Sequence, residues 1–506
     1  MNYSRKIESN FIINLISVII SIALGIIIPR LTLTSFGSEI NGLVNSVSQV
    51  YAYFTLFEAG VAATTLQALY GTVAKNDRDA TNAVLSATNR SYKRTGLLYF
   101  ASVLLFAIVY PLILKTDVPH KTIRLIILVN GLGAVIQYFF QAKYFILLQA
   151  EGKNYIRVTL TMVTNLLRNI AKIVLMRLGF GIVLVQSISL FVTVIHMTYT
   201  SWYIKKHYDW IDLSVPPNYS ALSQSKNSLV HQVSELVFNN TDILILTAFC
   251  GLKTVSVYSL YKLLFDMVKQ FLDIVPGSVV FAMGQVFNTD KKKFGEIYEA
   301  FETYYLTLLF SIYTVARVFI TPFLKLYTVG VNDISYIDRY LPTLFVLTYF
   351  LSGGRTAPSQ PVGFAGHFKL TQWRAIAETA INLIVSLIAV QYLGIHGVLL
   401  GTVAAMLFRT NDLIIYSNRK VLHRNPLLSY RRWFVNIGIY CCLAALSNRL
   451  MPEINSYPML FTVCVPFTIG TLVVFLGIIS LVEKKVFFNT LEYLRLYFRK
   501  RGSKNV

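Results

Sequence analysis

Apolar runs long enough to cross a bilayer return every roughly 25 to 35 residues along nearly the whole 506-residue chain. A helix needs about 20 apolar residues to span a hydrocarbon core of ~30 Å. Composition agrees: 55% of residues are hydrophobic and 14% charged, against about 25% charged in a soluble domain. The chain therefore reads as an all-α integral membrane protein with no soluble domain.

Fourteen spans are predicted, at about 11–33, 40–70, 95–114, 122–148, 155–176, 181–203, 228–249, 254–284, 300–323, 339–362, 370–392, 396–418, 431–449 and 457–482. Arg5 and Lys6 before the first run resemble the charged start of a signal peptide, but the run is long and no small-x-small site follows, so it reads as an uncleaved span. The formal charge of +22 is spread between apolar runs, not gathered into a nucleic-acid-binding domain. With the N-terminus inside, inner segments hold about 29 Lys and Arg and outer ones about 8. That asymmetry places both termini in the cytoplasm, and the residues from Lys485 to Arg501 read as an amphipathic basic helix on anionic lipid or as a solvated tail. Cys250, Cys441, Cys442 and Cys464 lie in or beside apolar runs with no C-x-x-C spacing, so neither disulfides nor a zinc site is expected.

An internal repeat is visible in the glycines. Gly37 and Gly251, Gly152 and Gly366, and Gly179 and Gly394 are each about 214 to 215 residues apart and fall at corresponding span ends. Six spans separate the copies, so both have the same orientation, as in a parallel repeat about the membrane normal with a cavity between halves. The predicted organisation is an N-terminal six-helix bundle (1–205), a cytoplasmic linker (206–227), a C-terminal six-helix bundle (228–420), two extra transmembrane helices (421–483) and a basic cytoplasmic tail (484–506).

Ionisable groups inside spans are costly and point to function or to interhelical pairing. Lys262, Asp266, Lys269 and Asp273 lie on one helical face, with Tyr258 one turn earlier. They form either an intrahelical ladder or the wall of a water-filled cavity. His231, Glu235, Asn239 and Asp242 repeat the spacing one span earlier, and Glu235 or Asp242 could bind a proton or sodium. Further charges within spans are Arg30, Glu58, Arg168 with Lys172, Arg317, and Arg409 with Asp412. Arg374 and Glu378, one turn apart, read as a local ion pair. Arg355 falls in Gly353-Gly354-Arg355-Thr356-Ala357-Pro358, a sequence that should break its helix, and a guanidinium there suits a phosphate or diphosphate.

Three blocks then resemble the polysaccharide-biosynthesis flippases of the multidrug/oligosaccharidyl-lipid/polysaccharide exporter superfamily. They are Pro29-Arg30-Leu31 through Leu56-Phe57-Glu58-Ala59-Gly60, Asp242 through Val257-Tyr258-Ser259, and Gly366-His367 through Leu393-Gly394-Ile395 with Gly397. The resemblance covers roughly residues 10 to 420. It implies two six-helix bundles around a central cavity, alternating access, and a glycan on undecaprenyl diphosphate met by Arg30, Lys262, Lys269 and Arg355. Glu58, Glu235, Asp242, Asp266 and Asp273 are the cavity or ion-coupling candidates. No metal and no cofactor is expected, and coupling would be to protons or sodium. The implied setting is the bacterial cytoplasmic membrane, with membrane lipid, the lipid-linked oligosaccharide, and a polysaccharide polymerase and chain-length machinery as partners. No nucleic acid is expected. An enzyme is disfavoured, since G-x-x-x-x-G-K-S/T and H-E-x-x-H are absent and the longest outer loop, about 324–338, is too short for a catalytic module. The nearer rivals are an ion-coupled small-molecule exporter of the same superfamily and a lipid II-type flippase.

Overall fold

The structure is a computed structural model that describes residues 3–58, 60–140, 142–222 and 226–502. Side chains at 3–21, 222–232, 278, 368–369, 448 and 494–502 are left undescribed. Ala59, His231, Lys369 and the basic residues from Arg495 onward, all used in the sequence reading, therefore lie outside the described residues or side chains.

The described chain is helical throughout. Its helices are α1 (Tyr3–Phe54), α2 (Val61–Ala74), α3 (Arg78–Ile113), α4 (His120–Phe140), α5 (Ala142–Ala150), α6 (Asn154–Arg177), α7 (Ile182–His207), α8 (Lys226–Phe249) and α9 (Leu252–Leu272). There follow α10 (Ile274–Phe287), α11 (Lys291–Tyr327), α12 (Leu341–Gly354), α13 (Thr356–Phe364), α14 (Phe368–Leu393), α15 (Ile395–Tyr416), α16 (Leu427–Leu450), α17 (Tyr457–Val482) and α18 (Lys484–Gly502). Every one of the fourteen predicted spans falls on a helix or on a helix pair separated by a short break. Among the described residues, nine are long and apolar enough to cross a membrane unaided. The others are interrupted, carry more charge, or run over undescribed residues. The outward face of α3 exposes Leu105, Ile108 and Leu112, as a helix facing acyl chains would.

The repeat is written into the backbone. Gly37 and Gly251 both have φ 81°, Gly152 and Gly366 have 73° and 68°, and Gly179 and Gly394 have 79° and 54°. Those values lie in the left-handed region that glycine enters without steric cost. The three pairs picked out by spacing are thus three pairs of matching chain reversals or kinks.

Two compact units emerge. Unit 1 contains α1 to α8, the start of α9 as far as Ser259, and the short segment Gly330–Ile334. Its apolar core is built around Leu43 and Val47 of α1, Leu85 of α3, Ile123 and Ile126 of α4 and Leu147 of α5. At Gly37 α1 is kinked, and the amide of Ser38 that starts its second half is capped by Asp333, which accepts from Ser38 N at 2.8 Å and Ser38 Oγ at 2.7 Å. Beyond the kink, Gly42 lets α1 approach the start of α9 so closely that a Cβ there would fall on the Leu252 carbonyl. The segment after α7 is fastened to α3: Asn82 donates to the Trp210 carbonyl at 3.1 Å and Ser86 to that of Val215 at 2.8 Å.

Unit 2 contains the remainder of α9 with α10 to α18. Here α11 is the axis, packing against α12, α16, α17 and α18, while α14 and α15 form a tight antiparallel pair. In the first third of α11, Glu302 is 1% exposed and accepts from Arg424 at 2.5 Å, from Ser429 at 2.6 Å and from Arg432, itself 1% exposed. Glu483, just past α17, receives Arg431 at 2.6 Å and Arg432 at 3.4 Å. Burying ions this deeply costs several kcal/mol each unless they are paired and fully hydrogen-bonded. The shared guanidinium of Arg432 meets that condition and ties α16 and α17 to α11.

Candidate substrate cavity

Unit 1 encloses a cavity of about 870 Å³. One wall is α6, where Arg157, Thr161, Thr164, Asn165 and Arg168 recur at helical spacing and all line the space. Lys172, the next turn on, leaves the stripe by donating to Gln186 of α7 at 3.1 Å. Across from α6 lie Tyr92 and Tyr99 of α3, Gln137 and Tyr138 of α4 and His196 of α7. Glu58, in the short 3-10 turn after α1, faces the same space and accepts the Tyr92 hydroxyl at 2.7 Å. Arg157 is steadied by Asn154, whose side-chain oxygen accepts its Nε at 2.9 Å. The lining thus carries two guanidiniums and one carboxylate, with aromatic faces and amides between them.

A second polar cluster in unit 1 surrounds Asp242 of α8, which is 5% exposed and accepts the Tyr258 hydroxyl at 2.7 Å. Beside it Tyr53 and Thr241 share a 2.6 Å hydrogen bond, and Ser46 and Thr247 one of 2.8 Å. Asp242 is therefore wired into the packing of α8 against α1 and the start of α9. Glu235, two turns earlier, is exposed. Arg30 is half-buried on α1, next to Pro29, and does not line the cavity.

In unit 2 the charged stripe of α9 is an intrahelical ladder. Lys262 lies 3.4 Å from Asp266, and Lys269 hydrogen-bonds Asp273. Tyr349 of α12 adds a donor to Asp266 at 2.6 Å. All four charged side chains are between 30% and 47% exposed, so the ladder is paired yet open on one side.

Arg355 stands at the predicted break, between the end of α12 at Gly354 and the start of α13 at Thr356. It is not an isolated cation, because it grips Glu378 of α14 at 2.6 Å. Arg374 and Glu378 do not form the local pair that their spacing suggests. Glu378 instead receives Arg355 and, at 3.6 Å, Arg409, while Arg374 contacts Asp412 at 2.9 Å. Arg409 also bonds Asp412 at 2.9 Å. α15 packs so closely on α14 that its Arg409 and Asp412 outcompete the helical neighbour. Three arginines and two carboxylates thus join α14, α15 and the broken helix, leaving one positive charge in excess.

In the sequence, Glu58 and Arg168 stand out as charges inside spans. His196 and the tyrosines do not stand out there, because their types are ordinary in apolar helices. The recurrence of polar residues from Arg157 to Arg168 was the signal available for α6. Among the described residues no group of His, Cys, Asp and Glu could hold a metal ion.

By sequence the chain matches no protein-family profile and no characterised protein at a significant level. By structure its fold is similar to those of solved multidrug and lipid II-flipping transporters. It is similar to the lipid II flippase MurJ in an inward closed conformation, with a TM-score of 0.69 and 15% identity over 92% of this chain and 98% of that one. An inward-facing multidrug resistance MATE family transporter matches with a TM-score of 0.59 and 15% identity, over 85% of this chain and 96% of that one. The MATE multidrug transporter DinF-BH gives 0.56 at 15% identity, over 81% and 94%.

Proposed function

We propose that this protein is a flippase that moves an undecaprenyl-diphosphate-linked oligosaccharide across the bacterial cytoplasmic membrane by alternating access, for surface polysaccharide biosynthesis. The observation that carries the reading is the likeness to a lipid II flippase over 92% of the chain, too much to stop at the end of α15. Cationic groups support it. Lys262 and Lys269 are half-exposed and paired only along their own helix, so a diphosphate could compete for them at little cost. Arg30 and Arg355 are the other diphosphate candidates, Arg355 by exchanging Glu378 for a phosphate oxygen. Coupling would be to protons or sodium, through Glu58, Glu235 or Asp242. Both termini would lie in the cytoplasm, and the product would pass to a polymerase and chain-length machinery.

The second reading is an ion-coupled small-molecule exporter, favoured by the likeness to MATE transporters. Liposomes containing the purified protein and a fluorescent undecaprenyl-diphosphate oligosaccharide separate the two. Flipping by the wild type that collapses in Lys269→Ala supports the flippase. Failure on several such lipids together with export of soluble cations would replace it by the exporter, and movement of lipid II alone would narrow it to a lipid II-type flippase.

A further inference from the structure

The unit 1 cavity holds more polar groups than its own side chains can use. Arg157, Arg168 and His196 share it with a single carboxylate, Glu58, which already accepts the Tyr92 hydroxyl. Nε of Arg168 and Nε2 of His196 are buried and have no hydrogen-bond partner among the described residues, and His196 is only 6% exposed. A buried polar group left unmet costs about 1–3 kcal/mol, and more when charged. Such groups point to a missing partner.

The internal repeat supplies a comparison within the chain. The residue 214 positions after Arg168 is Asn382, which is 1% exposed and donates to Thr402 at 3.0 Å. The second copy has sealed this place with its own hydrogen bond, whereas the first has left it open and cationic. Packing of the repeat alone therefore does not require the cavity. Its volume of about 870 Å³ is that of a small-molecule site. Tyr99 and Tyr138 give the space an aromatic border, and Gln137 and Gln149 offer amides that both donate and accept. Such a mixture suits a sugar, which has apolar ring faces and a rim of hydroxyls.

We propose that this cavity receives the glycan part of the cargo and that the glycan is acidic, its carboxylate held by Arg168 and His196 with Arg157 as the second cation. The inference rests on the lipid-linked oligosaccharide reading and names the substrate class within it. A planar guanidinium and a carboxylate form a charge-assisted, bidentate contact that a neutral hydroxymethyl group cannot replace.

The test is binding to the purified full-length protein, by titration calorimetry, of a soluble glucuronate-containing oligosaccharide, of its carboxyl-reduced neutral counterpart, and of inorganic diphosphate. The acidic glycan should bind at least about tenfold more tightly than the neutral one. Arg168→Gln should remove that preference, and Arg157→Gln should reduce it. Equal binding of the two glycans, no binding of either, or an Arg168-dependent site for diphosphate alone would overturn the proposal. Because this readout does not involve translocation, acidic-glycan binding without flipping in liposomes would leave the site standing and remove the flippase reading.

Discussion

The buried charges of this protein differ most in what surrounds them. Glu302 is enclosed by Arg424, Arg432 and Ser429, so truncating it strands two guanidiniums in a low-dielectric interior. Glu302→Ala should cost about 3–5 kcal/mol. Lys269→Ala breaks a half-exposed pair on one helix and should change stability by no more than about 0.5 kcal/mol. Thermal unfolding of the two variants in detergent checks this, and equal losses would show that Glu302 does not clamp the C-terminal helices. The same contrast explains which pairings a sequence reveals. Lys262–Asp266 and Lys269–Asp273 were legible because both partners sit on one helix and spacing alone brings them together. Glu378 was misread because its partners, Arg355 and Arg409, come from other helices. Glu302 and Arg432, 130 residues apart, had no local signature at all.

Within single elements the kink of α1 is the feature with most structure attached to it. Gly37 supplies the left-handed turn, and Asp333 caps the helix that restarts at Ser38 from 295 residues away. Burial alone would raise the Asp333 carboxyl, but the hydrogen bonds from Ser38 and the charge of Lys253 outweigh it and hold the group below its ordinary 3.8. A carboxyl depressed on folding adds stability above its unfolded value and loses it as pH falls through the folded one. Asp333→Ala should therefore lower the unfolding temperature by a constant amount, worth about 1 kcal/mol, above pH about 5, with the difference fading below pH about 3. A difference independent of pH across that range would mean that charge plays no part in the cap. One turn on, Gly42→Ala would drive a methyl into the Leu252 carbonyl and should cost about 1–3 kcal/mol. Gly438→Ala in α16 meets only open space, and it should be neutral or stabilising by about 0.5–1 kcal/mol. If both variants unfold like the wild type, the close approach at Gly42 is not a packing constraint.

At the scale of the whole molecule, the spans and the repeat were the legible part, because length and apolarity fix a membrane helix and a left-handed turn selects glycine. All fourteen predicted spans found helices, and all six glycines of the three pairs have a positive φ. The unit 1 cavity was less legible, since Tyr92, Tyr138 and His196 come from three helices and none is unusual in its own run. Sidedness is the one global property that composition alone predicts. Inner segments are expected to carry the lysines and arginines, which places the segment after α7 in the cytoplasm and the one before α12 outside. In a variant with its four cysteines replaced, Asp209→Cys and Asn332→Cys introduce thiols at exposed positions on those two segments. A membrane-impermeant maleimide applied to intact cells should label position 332 and spare position 209 until the membrane is opened. The reverse pattern would invert the protein in the bilayer, and labelling of both would break the alternation of spans between these two segments.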